Sequence, residues 1–253
     1  GSSEQKSRWI PRLISGADKV AFGVTEPDAG LDTTSIKTRA IRHGAEYEIS
    51  GSKVWMSTAQ RANKMLLVTR TTPIDECAKS TDGMTLFYVD LDRTHVEVQE
   101  IEKMGRGAVD SNSVFIDGLV VSETDRIGAE GDGFRMLLDT LNPERILIAA
   151  EAIGIGQRAL AKAVSYAGER KVFGRPIGQN QSIQHPLAES WMALEAASLM
   201  VWRAAKLYDE QKPCGAEANA AKFLAADAAY EACDKAVRVH GGFGYAKEYH
   251  VER

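Results

Sequence analysis

Cysteine, histidine and long apolar runs are scarce in this sequence of 253 residues, and each scarcity excludes a class of protein. Cys77, Cys214 and Cys233 are odd in number and widely spaced, and no CxxC pair occurs. This pattern argues against a disulfide framework and a zinc site. The five histidines form no HxxxH pair with a nearby acid, so we do not expect a metal site. No apolar run reaches the roughly 18 residues that a membrane span needs.

The sequence also contains no cluster of charges of one sign. The 31 Lys and Arg residues and 35 Asp and Glu residues give a formal net charge of -4, and they are scattered along the chain. A basic stripe for nucleic acid is therefore not predicted. The composition, 44% hydrophobic and 26% charged, is that of an ordinary globular protein. The first and last segments do not resemble natural termini, so we expect an interior piece of a longer protein.

The hydrophobic pattern changes once along the chain. From residue 20 to about 122 it consists of short strands without helical segments between them, which predicts an antiparallel sheet or barrel. Within this region the pair Gly51–Ser52, between EYEIS and KVWMS, predicts a hairpin. The further predicted strands are MLLVTRT, MTLFYVDL, VEVQEIEK and SVFIDGLVV.

After Gly133 apolar residues recur at helical spacing, in three long stripes that predict the core of a helical bundle. The stripes are Ile146, Ala149, Ile153, Leu160, Val164 and Ala167; Leu187, Trp191, Leu194, Val201, Ala205 and Tyr208; and Ala218, Ala221, Ala225, Ala228, Ala232, Ala236 and Val239. The glycine-rich link IGAEGDGF, residues 127–134, is the predicted boundary. The predicted fold class is α+β, with a barrel-like β domain (20–126) followed by an up-down helical bundle (127–253).

Two segments of the β region contain candidate ligand-binding groups. In AFGVTEPDAG, Thr25 and nearby amides could donate hydrogen bonds to a ligand, although such turns are common on protein surfaces. In KVWMS, alternation predicts Trp55 and Ser57 on one side of a strand. There the indole could stack on a planar cofactor, or it could simply be buried with the serine facing solvent.

Two segments of the helical region contain further candidates. In ERKVFGRPIGQNQSIQ, Arg170 could bind a phosphate, or it could complement the dipole at a helix C-terminus. In VRVHGGFGY, Gly241 and Gly242 would let a phosphate or backbone approach closely, and a helix C-cap explains them equally well.

These four motifs, together and in this order, resemble the acyl-CoA dehydrogenase family over essentially the whole chain. The resemblance implies the end of an N-terminal helical domain (1–19), a complete middle β domain and most of the C-terminal bundle. It also implies bound FAD, a dimer of dimers, an acyl-CoA substrate and transfer of electrons to an electron-transfer flavoprotein. The implied location is the cytoplasm of a bacterium or the mitochondrial matrix of a eukaryote.

The resemblance also assigns residues around the flavin and the substrate. It places Thr25 at the flavin pyrimidine edge, Trp55 against the flavin ring and Ser57 near the nitrogen that takes the hydride. Leu31 stands where many members have a serine that contacts the acyl-CoA, so it is assigned to the substrate site with the polar contact left open.

Further residues are implied at the cofactor's phosphates. Arg170 and Phe173 match residues that reach the FAD of a neighbouring subunit, with Arg170 at the pyrophosphate, and Gln181 belongs to the same surface. Gly241 and Gly242 match glycines packed against the adenosine-pyrophosphate part.

The catalytic base is expected to be Glu144 in LNPERILIAA. Most family members remove the α-proton of the thioester with a glutamate on a loop near the C-terminus, which would lie beyond Arg253. A minority supply the glutamate from a Glu-Arg pair on the first bundle helix. Glu144–Arg145 matches that pair, with Arg145 assigned to the substrate site, and burial would raise the base's pKa.

Alternatively, Asn142 is an N-cap, Pro143 begins the helix and Glu144 only complements the helix dipole. A helix that starts near Asp132 and Gly133 and is kinked by Pro143 is the other possibility, and such a kink would suit a ligand site. An oxygen-using acyl-CoA oxidase and a catalytically silent subunit are the alternative functions.

Overall fold

The computed structural model describes residues 1–253, which form two compact units, Gly1–Leu137 and Leu138–Arg253. The sequence had indicated a boundary within residues 127–134. Each unit has its own hydrophobic core.

The first unit begins with helix α1 (Ser3–Ile14), which starts at a capping box formed by Ser2 and Gln5. Its Trp9 is buried against Tyr88, with ring centroids 4.7 Å apart. Eight strands follow and form one sheet: β1 (Val20–Gly23), β2 (Arg39–His43), β3 (Glu46–Ser57), β4 (Lys64–Arg70), β5 (Met84–Asp90), β6 (Val96–Glu100), β7 (Ser111–Ser122) and β8 (Arg126–Ile127).

The predicted α+β class, with a mostly antiparallel β domain before a helical bundle, is confirmed. The sheet is open, however, and contains parallel pairings, so it is not the barrel that the sequence suggested. Its order is β6-β7-β3-β2-β4-β5-β8, and β1 pairs with β4 in parallel. A single parallel residue pair, Arg39 and Arg70, joins β2 to β4. The two halves of the sheet nevertheless share one core, in which the rings of Tyr47 and Phe87 lie 4.9 Å apart.

The prediction of a hairpin turn at Gly51–Ser52 is wrong, because β3 continues through both residues. The turn lies earlier, at Gly44 and Ala45, between β2 and β3. Gly51 instead sits at a register shift with φ of 153°, and a Cβ there would lie 2.6 Å from the Cα of Thr38. The glycine therefore allows two backbones to approach each other.

The second unit contains three long helices. They are α2 (Gly133–Glu169, with its first residues in the first unit), α3 (Gln181–Asp209) and α4 (Gly215–His240). The change of period after Gly133 agrees with the prediction. A short hairpin, β9 (Lys171–Val172) and β10 (Arg175–Pro176), connects α2 to α3. No helix in the structure combines the length and apolarity that a bilayer crossing requires.

The core of the helical unit is rich in alanine and lets the helices approach closely. A Cβ on Gly156 of α2 would lie 3.0 Å from the Cα of Ala229 on α4. Three residues predicted as core are instead solvent-exposed: Val164 (54%), Trp191 (58%) and Tyr208 (41%). They lie on helix faces that no other helix of this unit covers, and periodicity alone cannot distinguish such faces from buried ones.

Candidate functional site

In the first unit, Thr25 lies beside the strand that carries Trp55. The chain leaves β1 at Gly23, and the carbonyl of Thr25 accepts a hydrogen bond of 2.9 Å from the amide of Val54. The hydroxyl groups of Thr25 and Ser57 and the indole N–H of Trp55 form no hydrogen bond within the chain. Three unused polar groups therefore lie along two neighbouring segments.

A β-bulge explains how Trp55 and Ser57 reach the surface. The register of β3 against β7 shifts between Lys53 and Met56, and Trp55 has a positive φ of 62°. Lys53 and Met56 are buried, whereas Trp55 is 58% exposed and Ser57 is exposed. The alternative prediction that Trp55 is buried is therefore wrong. The indole of Trp55 is free to stack on a ligand.

A buried ion pair that the sequence did not indicate joins Lys53 and Glu26 next to these groups. Lys53 Nζ lies 2.8 Å from Glu26 Oε1 and donates a hydrogen bond of 3.0 Å to the carbonyl of Val24. Glu26 also accepts the amides of Lys37 at 2.6 Å and Thr38 at 3.0 Å. Burial acts to raise the pKa of Glu26, but the Lys53 charge and these hydrogen bonds outweigh it and hold the pKa below its usual value. One sequence signal could have predicted that Lys53 is buried. Side chains alternate along β3, and Lys53 falls on the same inward-facing side as Tyr47 and Ile49.

Leu31 lies just beyond a tight turn that follows Thr25. Glu26 and Ala29 exchange two backbone hydrogen bonds, of 3.1 and 3.2 Å, around Pro27 and Asp28. The Leu31 side chain is fully exposed. It provides an apolar contact point and no polar one.

In the second unit, the predicted phosphate-binding residues line one cavity of about 600 Å³, which contains Arg170, Gly241 and Gly242. Its wall includes Tyr166 and His240, whose rings stack with centroids 4.2 Å apart. His240 is buried, and its Nδ1 lies 2.7 Å from the carbonyl of Ala236, so this nitrogen is the protonated one.

Arg170 follows the C-terminus of α2 and retains a backbone bond of 2.8 Å to Tyr166. Its guanidinium forms no hydrogen bond or ion pair within the chain. Phe173, at the tip of the β9–β10 hairpin, has a φ of 54° and is fully exposed. Gln181 is exposed at the first position of α3. Neither Phe173 nor Gln181 lines the cavity that holds Arg170.

Glu144 lies well inside α2, because the helix begins at Gly133 and continues through Pro143. The explanation as a charge at a helix start is therefore wrong, since the dipole effect is confined to the first turn. Pro143 removes one backbone donor from the helix here. The expected burial of Glu144 is absent, because its side chain is exposed.

Arg145 occupies a different environment from its neighbour. Its guanidinium lies 3.4 Å from Asn142 Oδ1 and lines a cavity of about 390 Å³. Helix α4 contributes Asn219, Lys222 and Tyr230 to this cavity. Arg145 therefore belongs to a partly cationic recess of the helical unit.

Comparison with known proteins agrees with this architecture. A family model for the acyl-CoA dehydrogenase middle domain matches residues 21–119, and one for the C-terminal domain matches residues 131–253. An acyl-CoA dehydrogenase of Bacillus subtilis is 39% identical over 254 residues, which cover 100% of this chain and 66% of the relative. A subunit of the caffeyl-CoA reductase–Etf complex of Acetobacterium woodii is 37% identical with the same coverage.

The fold is also that of a solved structure. Butyryl-CoA dehydrogenase from Megasphaera elsdenii superimposes with a TM-score of 0.95 at 33% identity, over 100% of this chain and 66% of that one. The chain thus spans slightly less than two thirds of the proteins it matches. From the two domain models and the shared fold, the chain belongs to the acyl-CoA dehydrogenase family.

Proposed function

We propose that the protein is an FAD-dependent dehydrogenase that converts an acyl-CoA thioester to its trans-2-enoyl-CoA. The observation that carries this proposal is the cavity in which the unpaired guanidinium of Arg170 lies with the open glycines Gly241 and Gly242. The guanidinium can donate paired hydrogen bonds to a pyrophosphate, and the two glycines let the pyrophosphate approach the backbone closely.

Each unit, taken by itself, offers groups that fit one part of FAD. A Cβ on Gly241 or Gly242 would meet no atom within 4 Å, so the turn is an open cradle. In the other unit, Thr25, Trp55 and Ser57 offer unused donors and one exposed aromatic face. These are the groups that a flavin ring with polar edges requires.

When bound, FAD would accept the hydride that leaves the β-carbon of the substrate. Trp55 would hold the flavin ring by stacking, and Thr25 would donate to its pyrimidine edge. Ser57 would donate near the nitrogen that receives the hydride. Leu31 would contact the acyl-CoA through its apolar side chain.

Glu144 would remove the α-proton of the thioester. Its carboxylate forms no hydrogen bond or ion pair within the chain, so it is free to accept a proton. Because the side chain is exposed, the desolvation that raises a base's pKa would have to come from the bound acyl group. Arg145 would contact the substrate from the adjacent helical position.

We further propose a dimer of dimers and an electron-transfer flavoprotein as the acceptor. The fully exposed ring of Phe173 supports the first, because it could reach the cofactor of a second subunit. The name of the Acetobacterium woodii relative, a subunit of a reductase–Etf complex, supports the second.

The test is anaerobic mixing of the full-length, FAD-loaded protein with a panel of acyl-CoAs. We expect the flavin absorbance to bleach and an enoyl-CoA to form. An electron-transfer flavoprotein should then restore the absorbance faster than air. Rapid formation of hydrogen peroxide in air would instead identify an oxidase, and no bleaching with any acyl-CoA would contradict the proposal.

A further inference from the structure

The ion pair between Glu26 and Lys53 is the most completely buried one in the sheet unit. Only 6% of the Glu26 side chain and none of the Lys53 side chain is exposed. Desolvation of such a pair offsets much of its attraction, so stability alone does not explain why two charges lie here. The bonds that the two side chains make to neighbouring segments suggest a different role for the pair.

The pair links the segment that carries Thr25 to the strand that carries Trp55. Lys53 belongs to β3, two residues before Trp55, and its ammonium binds the carbonyl of Val24 and the carboxylate of Glu26. These two partners are the residues on either side of Thr25. The bond from the Val54 amide to the Thr25 carbonyl completes the link.

A third segment is fixed by the same carboxylate. The amides of Lys37 and Thr38 both donate to Glu26, and the Thr38 hydroxyl donates to the carbonyl of Ser52 at 3.3 Å. Gly51 permits this approach, because a side chain there would collide with Thr38. The Glu26 carboxylate therefore links the segment at Lys37 and Thr38 to the ammonium of Lys53, and through it to β3.

We propose that Glu26 and Lys53 are positioning residues that hold Thr25 and Trp55 in the register required to bind one flavin ring. This inference rests on the proposed function, because it takes FAD as the ligand of Thr25 and Trp55. Neither member of the pair would touch the cofactor, because both side chains are buried. Their effect passes through Val24 and the bulge at Trp55.

The test compares Lys53→Met with Lys64→Met in the full-length protein. Lys64 is a matched control, because it forms a lysine–carboxylate pair with Asp90 at 2.7 Å in the same sheet, and Asp90 is exposed. FAD is titrated and bound flavin is followed by visible absorption. We expect the Kd for FAD to rise at least tenfold in Lys53→Met and less than twofold in Lys64→Met, with a shifted flavin spectrum at saturation only in the first.

A second variant separates positioning from folding. The double substitution Glu26→Gln with Lys53→Met leaves no unpaired buried charge, so it should fold even if Lys53→Met does not. We expect it to keep the tenfold weaker binding and the shifted spectrum. Wild-type affinity and spectrum in a folded double variant would overturn the inference. Failure of the wild-type protein to bind FAD would overturn the proposed function itself, and the inference with it.

Discussion

The glycines of the GGFG turn meet different surroundings, and this difference gives a prediction that separates folding from binding. A Cβ on Gly244 would lie 2.2 Å from the carbonyl oxygen of Val237. A Cβ on Gly242, which lines the cavity, would meet no atom within 4 Å. We therefore expect Gly244→Ala to damage the fold and Gly242→Ala to damage only ligand binding.

The magnitudes follow from these distances. Overpacking costs about 1–3 kcal/mol, and the obstacle at Gly244 is a backbone carbonyl that cannot rotate away, so we expect about 2–3 kcal/mol. Gly242 has no positive φ, so alanine there should change the free energy of unfolding by less than about 1 kcal/mol. A methyl group in a phosphate cradle should weaken FAD binding at least tenfold, about 1.4 kcal/mol.

Urea denaturation and FAD titration measure the two effects independently. With an m-value of about 2–3 kcal/mol/M, the midpoint of Gly244→Ala should fall by roughly 1 M, while that of Gly242→Ala stays near wild type. A Gly244→Ala protein as stable as wild type would refute the steric argument. A Gly242→Ala protein with unchanged FAD affinity would refute the assignment of the cradle.

Three further predictions concern the core, an ion pair and the phosphate site. Leu194→Ala should lower the free energy of unfolding by about 2–5 kcal/mol in a denaturation experiment, because this leucine is 1% exposed. The hydrogen bonds from Arg12 lower the pKa of Asp18, so their contribution is present above its ordinary pKa of 3.8 and is lost as the pH falls through the lowered value. The stability difference between wild type and Asp18→Asn should therefore shrink in acid, and a constant difference would contradict this. Arg170→Ala should weaken FAD binding at least tenfold in a titration. Arg175→Ala is the control and should weaken it less than twofold, because the Arg175 guanidinium already binds Asn180 at 2.7 Å. Equal effects of the two substitutions would contradict the assignment of Arg170 to the phosphate site.

The helical unit could largely be predicted from the sequence, because its signals are local. The change of period identified the start of α2 at Gly133, and a helix C-terminus near Arg170 was one of the two interpretations of that arginine. Which helix faces pack could not be predicted, because Trp191 follows the same period as Leu194 and yet is exposed. Burial of a stripe depends on which neighbours it meets in space.

The sheet unit was predicted less well, because its decisive features are contacts distant in sequence. Gly51 resembles a turn glycine, but its role is to make room for Thr38 across the sheet. Lys53 continues the inward-facing alternation of β3, but nothing in the sequence identifies Glu26, 27 residues earlier, as its buried partner. Thr25, Trp55 and Ser57 were candidates from their own segments, but only the family resemblance assigned them to a flavin. The bulge that exposes Trp55 had no sequence signal of its own.

Replacement of Glu144 by glutamine tests the central claim most directly. The full-length proteins, wild type, Glu144→Gln and the control Glu195→Gln, an exposed glutamate of α3, are mixed anaerobically with an acyl-CoA that bleaches the wild-type flavin. If Glu144 is the base, Glu144→Gln should still bind the acyl-CoA but bleach about 10²–10⁴-fold more slowly, and the control should match wild type. Bleaching of Glu144→Gln at the wild-type rate would show that another group removes the α-proton.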